Sequence, residues 1–144
     1  MAIKRVAVIG ASGYGGLQSL RLLQSHPNFE IGLLGGERSA GKRWSELCPF
    51  LPLPDDPLVE SPDPVRIAER ADVALLSLPN GLASGLVPGL LQRGVRVVDL
   101  SAKLSPHKQL YLGVRGLQIR EQPFDSRVAQ LLQRALRALD VPHR

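Results

Sequence analysis

Residues 6–16 read VAVIGASGYGG, an apolar run that stops at a glycine, with three further glycines in the next six positions. This stretch constrains the fold more than any other. Ile3 to Ile9 is short, apolar and rich in Val and Ile, the pattern of a strand buried on both faces. From Tyr14 to Ser25 the apolar residues Leu17, Leu20, Leu22 and Leu23 recur near helical spacing. A buried strand that passes through a tight turn at Gly10–Gly13 directly into a helix is the opening of a strand–helix–strand unit.

The rest of the chain continues that alternation. His26-Pro27-Asn28 ends the first helix, because proline disfavours helix at the residue before it. His26 is expected to bond the last carbonyls of that helix. Phe29–Leu34 reads as a second strand, closed by Gly35-Gly36. Residues 37–64 hold six of the twelve prolines, so no long regular element is expected there. Pro64–Arg70 reads as a short helix with proline in its first turn. Val73–Leu78 reads as a third strand, Leu82–Arg93 as a helix that Pro88 kinks or begins, and Val95–Leu100 as a fourth strand. Strands alternating with helices imply parallel pairing and right-handed crossovers. The expected fold class is α/β, a Rossmann-type doubly wound, mainly parallel sheet over residues 1–102. Residues 103–144 form a separate basic tail, in which Asp125–Leu139 reads as an amphipathic helix started by Asp125 or Ser126.

Charge and cysteine content narrow the class. Residues 1–102 carry ten Lys/Arg and ten Asp/Glu, whereas residues 103–144 carry eight and three, so the whole net charge of +5 lies in the tail. Nucleic-acid surfaces interleave such charge with aromatics, and the tail has only Tyr111 and Phe124, so nucleic acid is disfavoured as a partner. No apolar run approaches the length of a membrane span. No signal-peptide pattern opens the chain, and the one cysteine, Cys48, has no internal disulfide partner. A cytoplasmic location is expected. No metal-ligand cluster is apparent.

Gly10, Gly13 and Gly16 are spaced G-x-x-G-x-x-G between strand and helix. A pyrophosphate is attracted to a helix N-terminus by unpaired N–H groups and the helix dipole, provided that no side chain blocks its approach. On this reading Gly10 permits the tight turn, Gly13 the close approach of backbone to phosphate, and Gly16 the packing of helix on sheet. Ser12 adds a hydroxyl within reach of a phosphate oxygen. The alternative is a strand-to-helix turn without a ligand. After the second strand comes Glu37-Arg38-Ser39-Ala40-Gly41-Lys42. Arg38, Ser39 and Lys42 suit the 2′-phosphate of NADP, whereas Glu37 suits the ribose hydroxyls of NAD; a solvated loop is the plain alternative. Pro79-Asn80-Gly81, at the end of the third strand, would border the nicotinamide, or is simply a turn.

VAVIGASGYGG, RLLQSHPNFEI, GERSAGK, LSLPNGLAS and VVDLSA, in that order, resemble the N-terminal domain of the N-acetyl-γ-glutamyl-phosphate reductases. The resemblance covers residues 1 to about 102. It implies an NADPH-dependent reduction of an acyl phosphate to a semialdehyde in arginine biosynthesis. In that family a cysteine thiolate displaces phosphate, hydride reduces the thioester, and a histidine assists proton transfer. Carried across, the cofactor residues are Gly10, Ser12, Gly13, Tyr14, Gly15 and Gly16 in the loop. Arg38 and Ser39 fall at the adenosine phosphate, Pro79 and Gly81 beside the nicotinamide, and Ser101 with Ala102 where the two domains of that family meet.

The resemblance stops after Ala102. Lys103-Leu104-Ser105 stands where the family has Asp-Phe-Arg, and no Asn-Pro-Gly-Cys motif follows. No catalytic residue is assigned: Cys48 falls on the adenosine side and reads as a buried, incidental thiol. A truncated or frame-shifted product, a domain fragment with a foreign tail, and a divergent protein all fit this pattern. The expected partner is NADP(H), with the acyl phosphate a partner only of the full-length family and a homo-oligomer allowed. The expectation is cofactor binding without turnover. The competing reading is a non-catalytic nucleotide-binding module that docks a partner through its tail.

Overall fold

A computed structural model describes residues 3–78, 82–100 and 126–140. Ten elements follow in order: β1 (Lys4–Ile9), α1 (Tyr14–Gln24), β2 (Phe29–Gly35), α2 (Trp44–Leu47), β3 (Val59–Glu60), α3 (Pro64–Arg70), β4 (Val73–Leu76), α4 (Leu82–Gln92), β5 (Arg96–Asp99) and α5 (Ser126–Asp140). The five strands form one sheet in the order β3-β2-β1-β4-β5, and every described pairing is parallel.

Burial explains why β1 lies at the centre. Val6, Ala7, Val8 and Ile9 are fully buried. Val6 and Val8 face one apolar cluster with α1, and Ala7 and Ile9 face a second with α3 and α4. A strand covered on both sides can only be an unbroken apolar run, which is what the sequence contains. α3 starts at the proline, where the Asp63 carboxylate accepts from the Val65 N–H (3.2 Å), an N-cap with Pro64 at the first helical position. α4 runs through Pro88 without ending; the ring sits on the exposed side, where a missing backbone donor costs least. His26 differs from expectation. Its Nδ1 accepts from the Asn28 N–H (3.2 Å) and its ring meets Phe29 edge-on, so its side chain is not spent on helix carbonyls.

The proline-rich segment holds two elements the sequence did not suggest, α2 and β3. Two residues of strand carry no periodicity; β3 exists because Val59 and Glu60 pair with Leu34 and Gly35. The Glu60 carboxylate then reaches α3, bridging Arg66 and Arg70, both at 2.5 Å. The buried Trp44 holds the same segment inward, its indole N–H donating to Leu51 O (2.7 Å).

Asp55 and Asp56 both have positive φ (64° and 42°), a region that Asp tolerates better than most residues. The Asp56 carboxylate accepts from the Ser45 hydroxyl (2.6 Å) and the Ser45 N–H (2.8 Å), tying this turn to α2. Those bonds, the hydroxyl's first, hold the Asp56 pKa below the ordinary carboxylate range, with Arg43 adding a smaller pull. A depressed folded-state pKa gives stability that is present above the unfolded value and lost as pH falls through the folded one. Asp56→Asn keeps the turn conformation and removes the charge. Urea melts are expected to find the variant less stable than wild type at neutral pH, with the gap closing once the pH drops below the ordinary carboxylate range.

α5 lies against α1. Leu132, Ala135, Leu136 and Leu139 are buried in the same cluster as Val6, Val8, Val73 and Val98, while Gln133, Arg134 and Arg137 stay exposed. The amphipathic stripe is therefore used inside the molecule, each leucine contributing roughly 2 kcal/mol by burial. The Lys4 ammonium donates to Leu139 O near the end of the helix, where a cation complements the dipole.

Candidate cofactor site

The chain leaves β1 toward β2 on one side of the sheet, and β4 leads to β5 on the other. The order therefore reverses between β1 and β4, and the crevice beyond their carboxyl ends is where open parallel sheets bind ligands. Residues 10–16 lie there. Gly10 has φ 84°, which only glycine adopts without strain. Its N–H donates to Gly35 O (2.8 Å) and the Ser77 N–H donates to Ile9 O (2.9 Å), so the loop is tied to β2 and to the end of β4.

The glycines have different neighbours. A Cβ on Gly10 would fall on the Ser77 carbonyl oxygen, and one on Gly15 would fall on the Ser77 side chain, with Cβ of Ser77 3.2 Å away. A Cβ on Gly16 would overlap the carbonyl oxygens of Gly10 and Ala11, the latter at 2.6 Å. What Gly16 allows is thus the close seating of α1 on its own preceding turn. Gly13 is otherwise: φ −79° and ψ 171° suit any residue, and its Cβ would meet only Gly10 O, at 3.4 Å. Nothing in the described protein requires glycine at 13. The Gly13 N–H is taken by Gly10 O (3.1 Å), and Gly13 caps α1 without a side chain. The N–H groups of Tyr14, Gly15 and Gly16 have no hydrogen-bond partner among the described residues. These are the orphan donors of a helix start.

Of the other residues that the sequence singles out, Ser12 is exposed beside Gly13. Arg38 and Lys42 are exposed past the end of β2, and Arg38 has no ion-pair partner among the described residues. Ser39 is buried, its hydroxyl tucked against Gly36, so it supports the loop that carries Arg38. That loop is pinned to β3 by Gly36 N–H to Glu60 O (2.9 Å) and Gly41 N–H to Val59 O (2.7 Å). Tyr14 opens α1. Pro79, Gly81 and Ser101 lie outside the described residues. Cys48 is buried in the α1-side cluster, and loss of hydration pushes its thiol pKa up, which disfavours the thiolate. Ser77 begins the strand-end stretch Ser77-Leu78-Pro79-Asn80-Gly81, of which the sequence marks only the Pro-Asn-Gly turn with a role; its place at the end of a strand is the signal that points to it.

Residues 5–123 match the family described as semialdehyde dehydrogenase, NAD binding domain. The N-acetyl-gamma-glutamyl-phosphate reductase of Prochlorococcus marinus (strain MIT 9313) is 66% identical over 113 residues, which are 75% of this chain and 32% of that protein. The enzyme of the same name from Synechococcus sp. (strain CC9605) is 74% identical over 98 residues, 68% of this chain and 28% of that protein. The chain thus spans about a third of the length of these curated relatives. Among solved structures, an aspartate semialdehyde dehydrogenase with NADP from Candida albicans superposes with a TM-score of 0.62 at 30% identity, over 69% of this chain and 30% of that one. α5 begins beyond the family match. No helix among the described residues is long and apolar enough to cross a membrane.

Proposed function

Because this chain belongs to the semialdehyde dehydrogenase family, matching its NAD-binding domain, we propose that it is the cofactor-binding part of an N-acetyl-γ-glutamyl-phosphate reductase and that its cofactor is NADP(H). The observation that carries this reading is Gly13: among the described residues no neighbour demands its glycine, yet it stands at the crevice beside three N–H groups that have no described partner. A pyrophosphate there would accept from those donors and fill the space that a side chain would take. Ser12 would add a hydroxyl. Arg38 would meet the 2′-phosphate, with Ser39 holding its loop. Through the resemblance, Pro79 and Gly81 remain assigned beside the nicotinamide and Ser101 to the loop where the two domains of that family meet. When bound, the cofactor supplies hydride; this chain's residues hold and orient it.

The reduction itself needs a thiolate that Cys48, the only cysteine in the sequence, does not offer from inside the core. Cofactor binding without turnover of the acyl phosphate is the expected behaviour. The alternative of a module that docks a partner through its tail helix is less favoured, because the described apolar positions of α5 are already buried against α1.

Titration with NADPH and with NADH, followed by nucleotide fluorescence, tests both parts. Saturable binding is expected, tighter for NADPH. Arg38→Ala removes one charge-assisted contact and should weaken NADPH by about 10- to 100-fold while leaving NADH nearly unchanged. Equal losses for the two cofactors would remove Arg38 from the 2′-phosphate.

A further inference from the structure

Ser77 stands where the two halves of the crevice meet. Its N–H donates to Ile9 O at the end of β1, its carbonyl oxygen blocks any side chain at Gly10, and its own side chain lies against Gly15 in the first turn of α1. The residue is half-buried, and its hydroxyl has no hydrogen-bond partner among the described residues. A half-buried hydroxyl loses water on one side and normally finds a partner. Gly15, against which it lies, carries one of the first-turn amides, which are donors without acceptors among the described residues. A hydroxyl among unpaired donors is completed by an acceptor bearing several lone pairs, and a phosphate oxygen is such a group.

We propose that the Ser77 hydroxyl is a cofactor ligand, donating to a pyrophosphate oxygen held at the first turn of α1 from the β4 side. The assignment rests on the cofactor-binding reading above and adds a residue to it. It gives the phosphates a donor from each side of the crevice, the α1 amides from one and Ser77 from the other. Because the pyrophosphate is common to both nicotinamide dinucleotides, the contact is indifferent to the 2′-phosphate, and that separates Ser77 from Arg38.

The test compares wild type with Ser77→Ala and Ser77→Cys, the second keeping the side-chain volume without the strong donor. Each variant is titrated with NADPH, with NADH and with adenosine 2′-monophosphate, which has no pyrophosphate, and its melting temperature is recorded. Both variants should weaken NADPH and NADH by the same factor, about tenfold, with binding of the monophosphate and the melting temperature unchanged. Wild-type affinity for the dinucleotides in either variant would overturn the proposal. So would a loss shared by the monophosphate and accompanied by a lower melting temperature, since that marks a packing role. Failure of the wild-type chain to bind any dinucleotide would instead defeat the cofactor reading itself.

Discussion

Gly13→Leu is expected to abolish measurable NADPH binding while the chain stays folded. Gly13 has extended backbone angles that leucine adopts freely, it is exposed, and among the described residues a Cβ there meets only one carbonyl oxygen, at van der Waals range. The cost to the fold is the weaker helix-capping preference of leucine, about 1 kcal/mol or less. That corresponds to a fall of a few degrees in melting temperature. The cost to binding is larger, because the leucine side chain would fill the space above the Tyr14, Gly15 and Gly16 amides that a pyrophosphate must enter. A loss of 100-fold or more in affinity, with an unchanged far-ultraviolet circular dichroism spectrum, is the expected pair of results. Unimpaired binding by a folded Gly13→Leu chain would place the phosphates elsewhere.

Much of the frame was legible before any coordinates. The strand–turn–helix at residues 3–25 was readable because its periodicity changes at the glycines, and Pro64–Arg70 because proline suits the first turn of a helix, where the structure adds Asp63 as its cap. Strand ends were less legible: β4 and β5 stop at Leu76 and Asp99, short of the apolar runs that contain them. Apolar character persists at Leu78 and Leu100 because both are buried, whereas ladder pairing has already ended. β3 was invisible, since its two residues are strand only by pairing with β2.

The site was legible in outline and illegible in detail for a related reason. G-x-x-G-x-x-G names three glycines at equal spacing, but what each one excludes is decided by atoms distant in sequence. Ser77, more than sixty positions away, excludes a side chain at Gly10 with its carbonyl oxygen and crowds one at Gly15 with its own side chain. Arg38 and Ser39 are neighbours in the chain and both polar, yet one is exposed and the other supports the loop from beneath. No local pattern separates those roles, because they follow from how β2 and β3 pair.

Gly16→Ala is expected to destabilise the chain by about 1–2 kcal/mol, and the sign of that change is what makes it informative. In an unconstrained helix the same substitution would stabilise by about 1 kcal/mol, since alanine loses less backbone freedom than glycine. Here the added methyl would overlap two backbone carbonyl oxygens, those of Gly10 and Ala11. Neither can move aside cheaply. The Gly10 oxygen already accepts from the Gly13 N–H, and the Gly10 and Ala11 amides are held by Gly35 O (2.8 and 3.4 Å). Relief requires α1 to lift from the turn, which pulls Leu20 and Leu23 from the core they share with α5. Overpacking of this kind costs roughly 1–3 kcal/mol, against which the helix preference of alanine returns at most about 1 kcal/mol. Urea denaturation should therefore give a lower midpoint for Gly16→Ala than for wild type, and cofactor affinity should fall with it because the amides shift. A midpoint above wild type would mean that α1 stands clear of its turn, and the opposed behaviour of Gly13 and Gly16 would lose its physical basis.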